Sequence, residues 1–151
     1  MNTIKDRLVA DVKASMLAGD TLRLETLRGL KSTILYAEVA AGKRESGLED
    51  SEIEALFAKE AKKRQESADL YVQGGAQDKA DKELSEKAII EEYLPEQMSE
   101  ADIMQLVEKT IAELGVSGAQ AMGQVIGRVK AAAGSSADGA LIAKIVKEKL
   151  A

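Results

Sequence analysis

The sequence predicts an all-α protein, and three observations support that prediction. Residues of high helix propensity, chiefly Ala, Leu, Glu and Lys, dominate the 151-residue chain. Apolar residues recur at three- and four-residue intervals, and no segment shows the two-residue alternation of a strand. The single proline, Pro95, interrupts the helical pattern. We therefore expect an N-terminal bundle of about four helices in residues 1–95, joined by a proline hinge to a three-helix C-terminal tail domain in residues 96–151.

Four helices are predicted before the proline, and each boundary has a local signal. Gly19 ends the first helix, and either Asp20 or Thr21 caps the second. Ser51 together with Glu54 predicts a capping box at the start of the third helix. A pair of glycines then separates the third helix from the fourth. The predicted ranges are about 3–17, 20–42, 51–73 and 78–93.

The segment around the proline predicts a hinge formed by Tyr93, Leu94 and Pro95. Proline lacks a backbone N–H and pushes the preceding residue out of the α region. The fourth helix should therefore end at or before Leu94. Ser99 is then expected to cap the next helix, with acidic side chains in its first turn that complement the helix dipole.

Three shorter helices are predicted after the hinge, over residues 99–114, 120–132 and 138–150. Gly115 and Gly118 bracket the first turn, and Asp138 is placed to cap the last helix. A unit of this size is marginally stable alone, so its helices must pack tightly. Each carries one apolar stripe, and the three stripes together can form one core.

The composition gives little support for catalysis or membrane insertion. The chain has no His and no Cys, so it lacks the usual neutral-pH base, the thiol nucleophile and the commonest transition-metal ligands. No nucleotide-binding fingerprint is present, and we expect no metal, no cofactor and no catalytic residue. No apolar run approaches the roughly 20 residues of a membrane span, and no signal-peptide core is seen near the amino terminus. These features favour a cytoplasmic protein without a membrane partner.

The charge is unevenly distributed along the chain. The net charge is −5, yet residues 115–151 carry five basic and two acidic side chains. A basic end on an acidic protein is compatible with an anionic partner that binds at that end. Residues 96–151 contain no aromatic side chain, which disfavours recognition of single strands by base stacking. Any RNA bound there should be folded and recognised through shape and backbone contacts.

The sixth predicted helix carries the most informative pattern. Gly123 and Gly127 lie together beside its apolar arc, with Lys130 next to them. A glycine inside a helix costs about 1 kcal/mol relative to alanine, so a bare backbone should serve some purpose. One explanation is close approach by another helix. The other is a smooth strip against which a ligand backbone lies, with its phosphates met by Lys130.

The start and the outer face of the last helix extend this pattern. Asp138 and Gly139 mark a helix amino terminus, which is either an ordinary capped end or a source of amide donors for phosphate. Lys144 and Lys147 share an outward face, whereas Lys149 points toward the apolar side. The lysines also suit the carboxyl end of a helix dipole, so a purely structural explanation stays open.

Basic residues elsewhere are interpreted as surface charge. Acidic residues interrupt the cluster on the third helix, which favours a solvated helix face. The basic residues beside the apolar stripe of the second helix allow the same explanation. These two groups are Lys59, Lys62, Lys63 and Arg64, and then Arg23, Arg28 and Lys31.

Several of these segments together resemble the YqeY family. The C-terminal part is also similar to the tail domain of the B subunit of the glutamine-dependent tRNA amidotransferase. The resemblance covers essentially the whole chain, and the order of the motifs is more specific than any one of them. The motifs are Leu27-Arg28-Gly29-Leu30-Lys31-Ser32, Tyr93-Leu94-Pro95-Glu96-Gln97-Met98-Ser99, Met122-Gly123-Gln124-Val125-Ile126-Gly127, Ala137-Asp138-Gly139 and Val146-Lys147.

The resemblance implies a free-standing, tRNA-binding relative of the amidotransferase tail, without catalysis of its own. Amide transfer, the carbon-nitrogen ligase reaction with glutamine as donor, is implied only through association with an amidotransferase or an aminoacyl-tRNA synthetase. The alternatives are a protein-interaction module that docks on such an enzyme, and an enzyme in its own right. Relatives often have a basic residue where this chain has Ser135 and Ser136. The expected RNA-binding residues are Gly123, Gly127, Arg128, Lys130, Asp138, Gly139, Lys144 and Lys147.

Overall fold

A computed structural model describes residues 3–151, and every regular element within them is helical. The all-α prediction is therefore confirmed. Two short 3₁₀ turns, Ala119–Ala121 and Gly134–Ser136, flank the sixth helix. The helices are α1 (Ile4–Ala18), α2 (Thr21–Ala40), α3 (Asp50–Gln73), α4 (Gln77–Glu91), α5 (Glu100–Leu114), α6 (Met122–Ala133) and α7 (Gly139–Leu150).

The chain divides into two compact units, one extending to Leu94 and one comprising Pro95–Ala151. The first unit is built from α1 to α4, with α1 packed on α2 and α3 packed on α4. Met1 and Asn2, the first two positions of the predicted N-terminal domain, lie outside the described residues. The core of this unit is formed mainly by Leu8, Leu27, Leu30, Ile34, Ile53, Phe57 and Ile90.

The helix ends in the first unit follow the predicted signals with one exception. Asp20 caps α2 by accepting a hydrogen bond from the backbone N–H of Arg23. The capping box predicted at Ser51 and Glu54 is wrong, because α3 begins earlier and its first turn is closed by a 2.9 Å bond from Glu49 N–H to Glu52. The Asp50 carboxylate, at the first residue of α3, accepts the backbone N–H of Ile4 at 3.1 Å and ties this helix start to the start of α1.

The segment before the proline is held by the first unit. α4 ends at Glu91, before Leu94 as predicted. Tyr93 is buried and packs edge-to-face on Phe57, with 6.0 Å between ring centroids. Its hydroxyl donates a hydrogen bond to Asp11, and burial together with that bond raises the pKa of Tyr93 well above its usual value. Tyr93 therefore belongs to the core of the first unit, and Leu94 packs against the same core. The hinge at Tyr93, Leu94 and Pro95 stays a prediction.

The second unit is a three-helix arrangement around one core. Ser99 caps α5 in a capping box with Asp102, as the sequence indicated. Gly115 ends α5 in the left-handed conformation, at φ 62°, which favours glycine. The core residues come from all three helices, as the three predicted stripes require. They include Ile103, Val107, Val125, Val129, Ile142, Ile145 and Val146.

Candidate nucleic-acid interface

The two glycines of α6 lie on an exposed, uncovered face of the helix. Both Gly123 and Gly127 are exposed, and a Cβ added at either position would meet no atom within 4 Å. The apolar side of α6 is buried instead through Val125 and Val129. Close packing by a neighbouring helix therefore does not explain these glycines within their unit. They form a bare strip, defined here as the surface at Gly123 and Gly127.

Lys130 lies beside the bare strip on α6, and its side chain reaches the start of α7. A Cβ built on Gly139 would lie 3.0 Å from Lys130 Cε and 3.2 Å from its Nζ. Glycine at position 139 thus leaves the space that the lysine side chain occupies. The structure places an ammonium group beside the amino terminus of α7, where the sequence had placed a possible phosphate site.

α7 runs back along α6 within the second unit. Its first residue lies beside Lys130 near the end of α6, and α7 also contacts the 3₁₀ turn that precedes α6. The buried side of α7 includes Ile142 and Ile145. Lys144 and Lys147 are exposed, as their predicted outward face requires.

The cations of this surface are not neutralised within the described residues of their unit. Arg128, Lys130, Lys144 and Lys147 are exposed, and no carboxylate of the unit lies within 4 Å of their charged nitrogens. Residues 115–137 contain no acidic side chain. By contrast, Lys149 pairs with Glu108 of α5 at 2.7 Å, consistent with its predicted position at the edge of the apolar side. We call these four cations and the bare strip the α6–α7 surface.

Asp138 acts structurally at the start of α7. Its carboxylate accepts a hydrogen bond from the backbone N–H of Ala140 at 3.4 Å, as an N-cap does. The carboxylate thus occupies one of the amide donors that a phosphate would otherwise use. The structure therefore favours the capping interpretation of Asp138.

The loop that contains Ser135 and Ser136 is fixed by the segment that precedes α5. Met98 N–H donates to the Ser136 carbonyl at 2.7 Å, and the Gln97 side-chain amide donates to the Ser135 carbonyl at 3.0 Å. The sequence analysis missed these two bonds, although both donors lie in the motif around Pro95. Both bonds end on backbone carbonyls and do not involve the serine hydroxyls. They hold the end of α6 next to the start of α5.

Two members of the basic cluster of α3 pair with carboxylates within the first unit. Lys63 pairs with Glu60, and Arg64 lies within 3.6 Å of both Glu83 and Glu86. Arg23 of α2 pairs with Glu92 at 2.5 Å, and that carboxylate raises the pKa of Arg23. Lys63 is exposed and fits the predicted solvated face, whereas the Nε atom of Arg64 is buried, so Arg64 forms an ion pair between helices and is not free surface charge.

Neither a cluster of metal-ligating side chains nor a membrane-spanning helix is found among the described residues. Among residues 3–151, no group of three or more His, Cys, Asp or Glu side chains is arranged to hold a metal ion. Within the same range, no helix has the length and apolar character that a bilayer crossing requires.

The family model for Yqey-like proteins matches residues 5–150. The chain belongs to the YqeY family. The resemblance seen in the motifs is thereby confirmed, and it extends over both structural units. Family membership does not by itself show association with tRNA or with an amidotransferase.

Curated relatives come from yeasts and carry the name altered inheritance of mitochondria protein 41, mitochondrial. The protein from Lachancea thermotolerans is 33% identical over 109 residues, which cover 71% of this chain and 57% of the relative. The one from Kluyveromyces lactis is 34% identical over 86 residues, which cover 57% of this chain and 45% of the relative. The chain thus spans about half the length of the curated relatives it matches.

These names correct the expected location. The composition favoured a cytoplasmic protein, whereas the similar proteins are named as mitochondrial, so that prediction is wrong. The physical reason is that a chain without cysteines or long apolar segments is equally compatible with any reducing aqueous compartment. Composition alone could not distinguish one such compartment from another.

Proposed function

We propose that this protein is a non-catalytic adaptor that binds folded tRNA through its α6–α7 surface. The observation that carries the proposal is the set of four exposed cations without carboxylate partners in their unit, one of which, Lys130, lies on the helix face that two glycines leave bare. Phosphate contacts from Lys and Arg supply most of the affinity of nucleic-acid binding. A bare helix backbone lets a sugar-phosphate chain approach closely.

The choice of folded RNA over a single strand rests on the second unit's side chains. Residues 96–151 contain no aromatic group on which an unpaired base could stack. Double-stranded RNA is held instead through phosphates and ribose hydroxyls, which cationic side chains and exposed backbone can contact. The similarity to the tail of the amidotransferase B subunit supports tRNA as the folded RNA. Association with that enzyme or with a synthetase would place this chain beside the amide-transfer step without performing it.

The proposal is tested by titrating labelled tRNA with the full chain at increasing salt. We expect affinity to fall steeply between about 50 and 200 mM salt, because each neutralised phosphate releases counterions. Lys130→Ala combined with Lys147→Ala should weaken binding about tenfold or more at low salt and should reduce the salt slope by about one per lysine. A single-stranded homopolymer should compete poorly with tRNA.

The matched control removes two lysines that are already paired. Lys109→Ala with Lys149→Ala changes the net charge by the same amount, but these side chains contact Glu113 and Glu108. We expect this variant to retain most of the tRNA affinity. Equal losses in the two double variants, or no tRNA retained by the wild-type protein at low salt, would overturn the proposal.

A second function is favoured by the bare strip alone. Exposed glycines on a helix also suit docking against another protein, such as an amidotransferase or a synthetase. In that case a partner would bind at one-to-one stoichiometry without RNA, and the Lys130→Ala, Lys147→Ala variant would bind it as well as the wild type does. A pull-down with both variants therefore separates the two functions.

A further inference from the structure

A groove with an apolar floor runs between α1 and α2 in the first unit. Its volume is about 570 Å³, and its floor includes Leu8 and Ile34, which are buried. Val9 from α1 and Leu35 from α2 line it and are 56% and 46% exposed. Large apolar side chains that line a concave surface usually mark a place where something binds. This groove lies outside the α6–α7 surface and plays no part in the proposed tRNA contact.

The apolar surface continues along the helix pair beyond the groove. Met16 of α1 and Val39 of α2 are each more than half exposed. Together with Val9 and Leu35 they follow much of the length of α2, which spans about 30 Å at 1.5 Å per residue. An elongated apolar surface between two helices matches the shape of a third helix better than that of a small ligand.

The groove is edged by positive charge. Glu38 is neutralised by Lys5 and also accepts the backbone N–H of Leu48 at 3.1 Å, so it is fully engaged. Arg28 and Lys31 also line the groove, and neither lies within 4 Å of a carboxylate in the described residues of this unit. These two cations are three residues apart on α2, which places them on neighbouring turns of one face.

The cations that edge the groove indicate which kind of partner fits it. A second copy of this chain would bring the same two cations and no free carboxylate of the groove to the interface, and a two-fold axis near Arg28 and Lys31 would place them opposite each other. Like charges brought together at an interface are destabilising, so self-association is disfavoured. A helix with carboxylates beside its apolar stripe would instead meet the cations with opposite charge. We propose that the α1–α2 groove docks an acidic amphipathic helix of a partner protein.

The test is a display selection against the full chain. The probe is a library of 20-residue peptides with leucines at helical a and d positions and randomised flanking positions. We expect selected peptides to be enriched in Glu and Asp beside the leucines when the wild-type chain is the target. Against Arg28→Glu combined with Lys31→Glu, the enrichment should switch to Lys and Arg.

Affinity measurements on the best acidic peptide complete the test. Leu35→Asp and, independently, Val9→Asp should each weaken binding about tenfold or more. Both side chains are largely exposed, so the fold should survive, and circular dichroism checks that it does. The matched control is Val72→Asp, which adds the same charge at a position 52% exposed on α3 of the same unit. It should leave the affinity within about twofold.

Three outcomes would overturn the proposal. The first is a selection without acidic bias, and the second is an equal loss of affinity in the Val72→Asp control. The third is a concentration-dependent dimer in sedimentation that Leu35→Asp abolishes, which would assign the groove to a second copy. None of these outcomes bears on tRNA binding by the other unit.

Discussion

Both units of this protein contain cations with and without carboxylate partners, but the unpaired cations lie in different surroundings. In the first unit Arg23 and Arg64 each lie within 4 Å of a carboxylate, whereas the two cations that edge the apolar α1–α2 groove do not. In the second, Arg128 and Lys130 have no such partner among the described residues of the unit, and the same holds for both exposed lysines on the outer face of α7. Paired charges largely cancel at a distance, whereas unpaired charges attract anions.

Net charge is therefore a poor guide to the partners of this protein. The chain as a whole carries −5, and its first unit holds more basic residues than its second. Whether a group of cations can bind an anion depends on the carboxylates near it, and the kind of partner depends on the surface around it. If the two units are also independent in stability, a substitution in the core of one should leave the unfolding of the other unchanged.

The largest effect is expected from a cavity in the first unit. Phe57 is fully buried and contacts the Tyr93 ring, so Phe57→Ala should reduce the free energy of unfolding of this unit by about 3–5 kcal/mol. If the second unit folds by itself, its unfolding transition and its tRNA affinity should not change. Calorimetry together with residue-resolved hydrogen exchange measures both.

Val129→Ala provides the reciprocal test, because Val129 is fully buried in the second core. This variant should lower protection in α5 to α7 and leave α1 to α4 as in the wild type. A single transition that shifts for both variants, with equal loss of protection everywhere, would show that the chain unfolds as one cooperative unit.

A smaller loss of stability is expected when the ion pair between Lys5 of α1 and Glu38 of α2 is removed. Lys5 lowers the pKa of the Glu38 carboxyl through a hydrogen bond, and the Leu48 N–H lowers it further. The stabilisation is therefore present above the unfolded-chain pKa, about 4.3, and is lost as pH falls through the lower folded pKa. Glu38→Gln should cost on the order of 1 kcal/mol at pH 7.

The pH dependence distinguishes this pair from a general loss of packing. Urea unfolding of wild type and Glu38→Gln at several pH values should give stabilities that converge as pH drops below about 4. A constant difference down to pH 3 would mean that the ionised carboxylate does not contribute to stability. Glu54→Gln is the control, because Glu54 of α3 forms no ion pair within the described residues. This substitution should change the free energy of unfolding little at any pH.

The sequence predicted local features well and tertiary ones poorly. Ser99 was predicted as a cap because serine is favoured there and acidic side chains follow in the first turn. Ser51 and Glu54 offered a similar local pattern, yet α3 begins one residue earlier, where Glu49 and Glu52 form an equally local pair. The bond from Ile4 N–H to the Asp50 carboxylate, 46 residues away, is a contact across the fold that no local signal reports.

At the candidate site, too, the sequence predicted the local features and did not predict the tertiary contacts. Helical periodicity placed Gly123 and Gly127 on one side of α6, but it could not tell whether a neighbouring helix covers that side. The contact of Lys130 with Gly139 crosses a loop, so it depends on how α7 folds back. The groove between α1 and α2 was missed altogether. Arg28 and Lys31 were noticed, but their relation to exposed apolar residues of another helix requires the packed structure.

The smallest effect on stability, and the most informative about the site, is expected at the glycines of α6. A Cβ meets no atom at either position, so alanine should stabilise the helix by about 0.5–1 kcal/mol at Gly127. The gain should be smaller at Gly123, which is only the second residue of α6. If RNA lies against the bare strip, Gly127→Ala will weaken tRNA binding although it stabilises the protein.

Opposite signs for stability and affinity cannot arise from partial unfolding, which would lower both. Thermal unfolding and tRNA titration of Gly123→Ala, Gly127→Ala and Ala131→Gly together measure the two quantities. Ala131 is exposed on the same helix, so its replacement by glycine should destabilise α6 by up to about 1 kcal/mol without adding bulk to the strip. Should Gly127→Ala stabilise the unit and leave tRNA affinity intact, the four cations would hold the RNA without the strip, and the glycines would need another explanation.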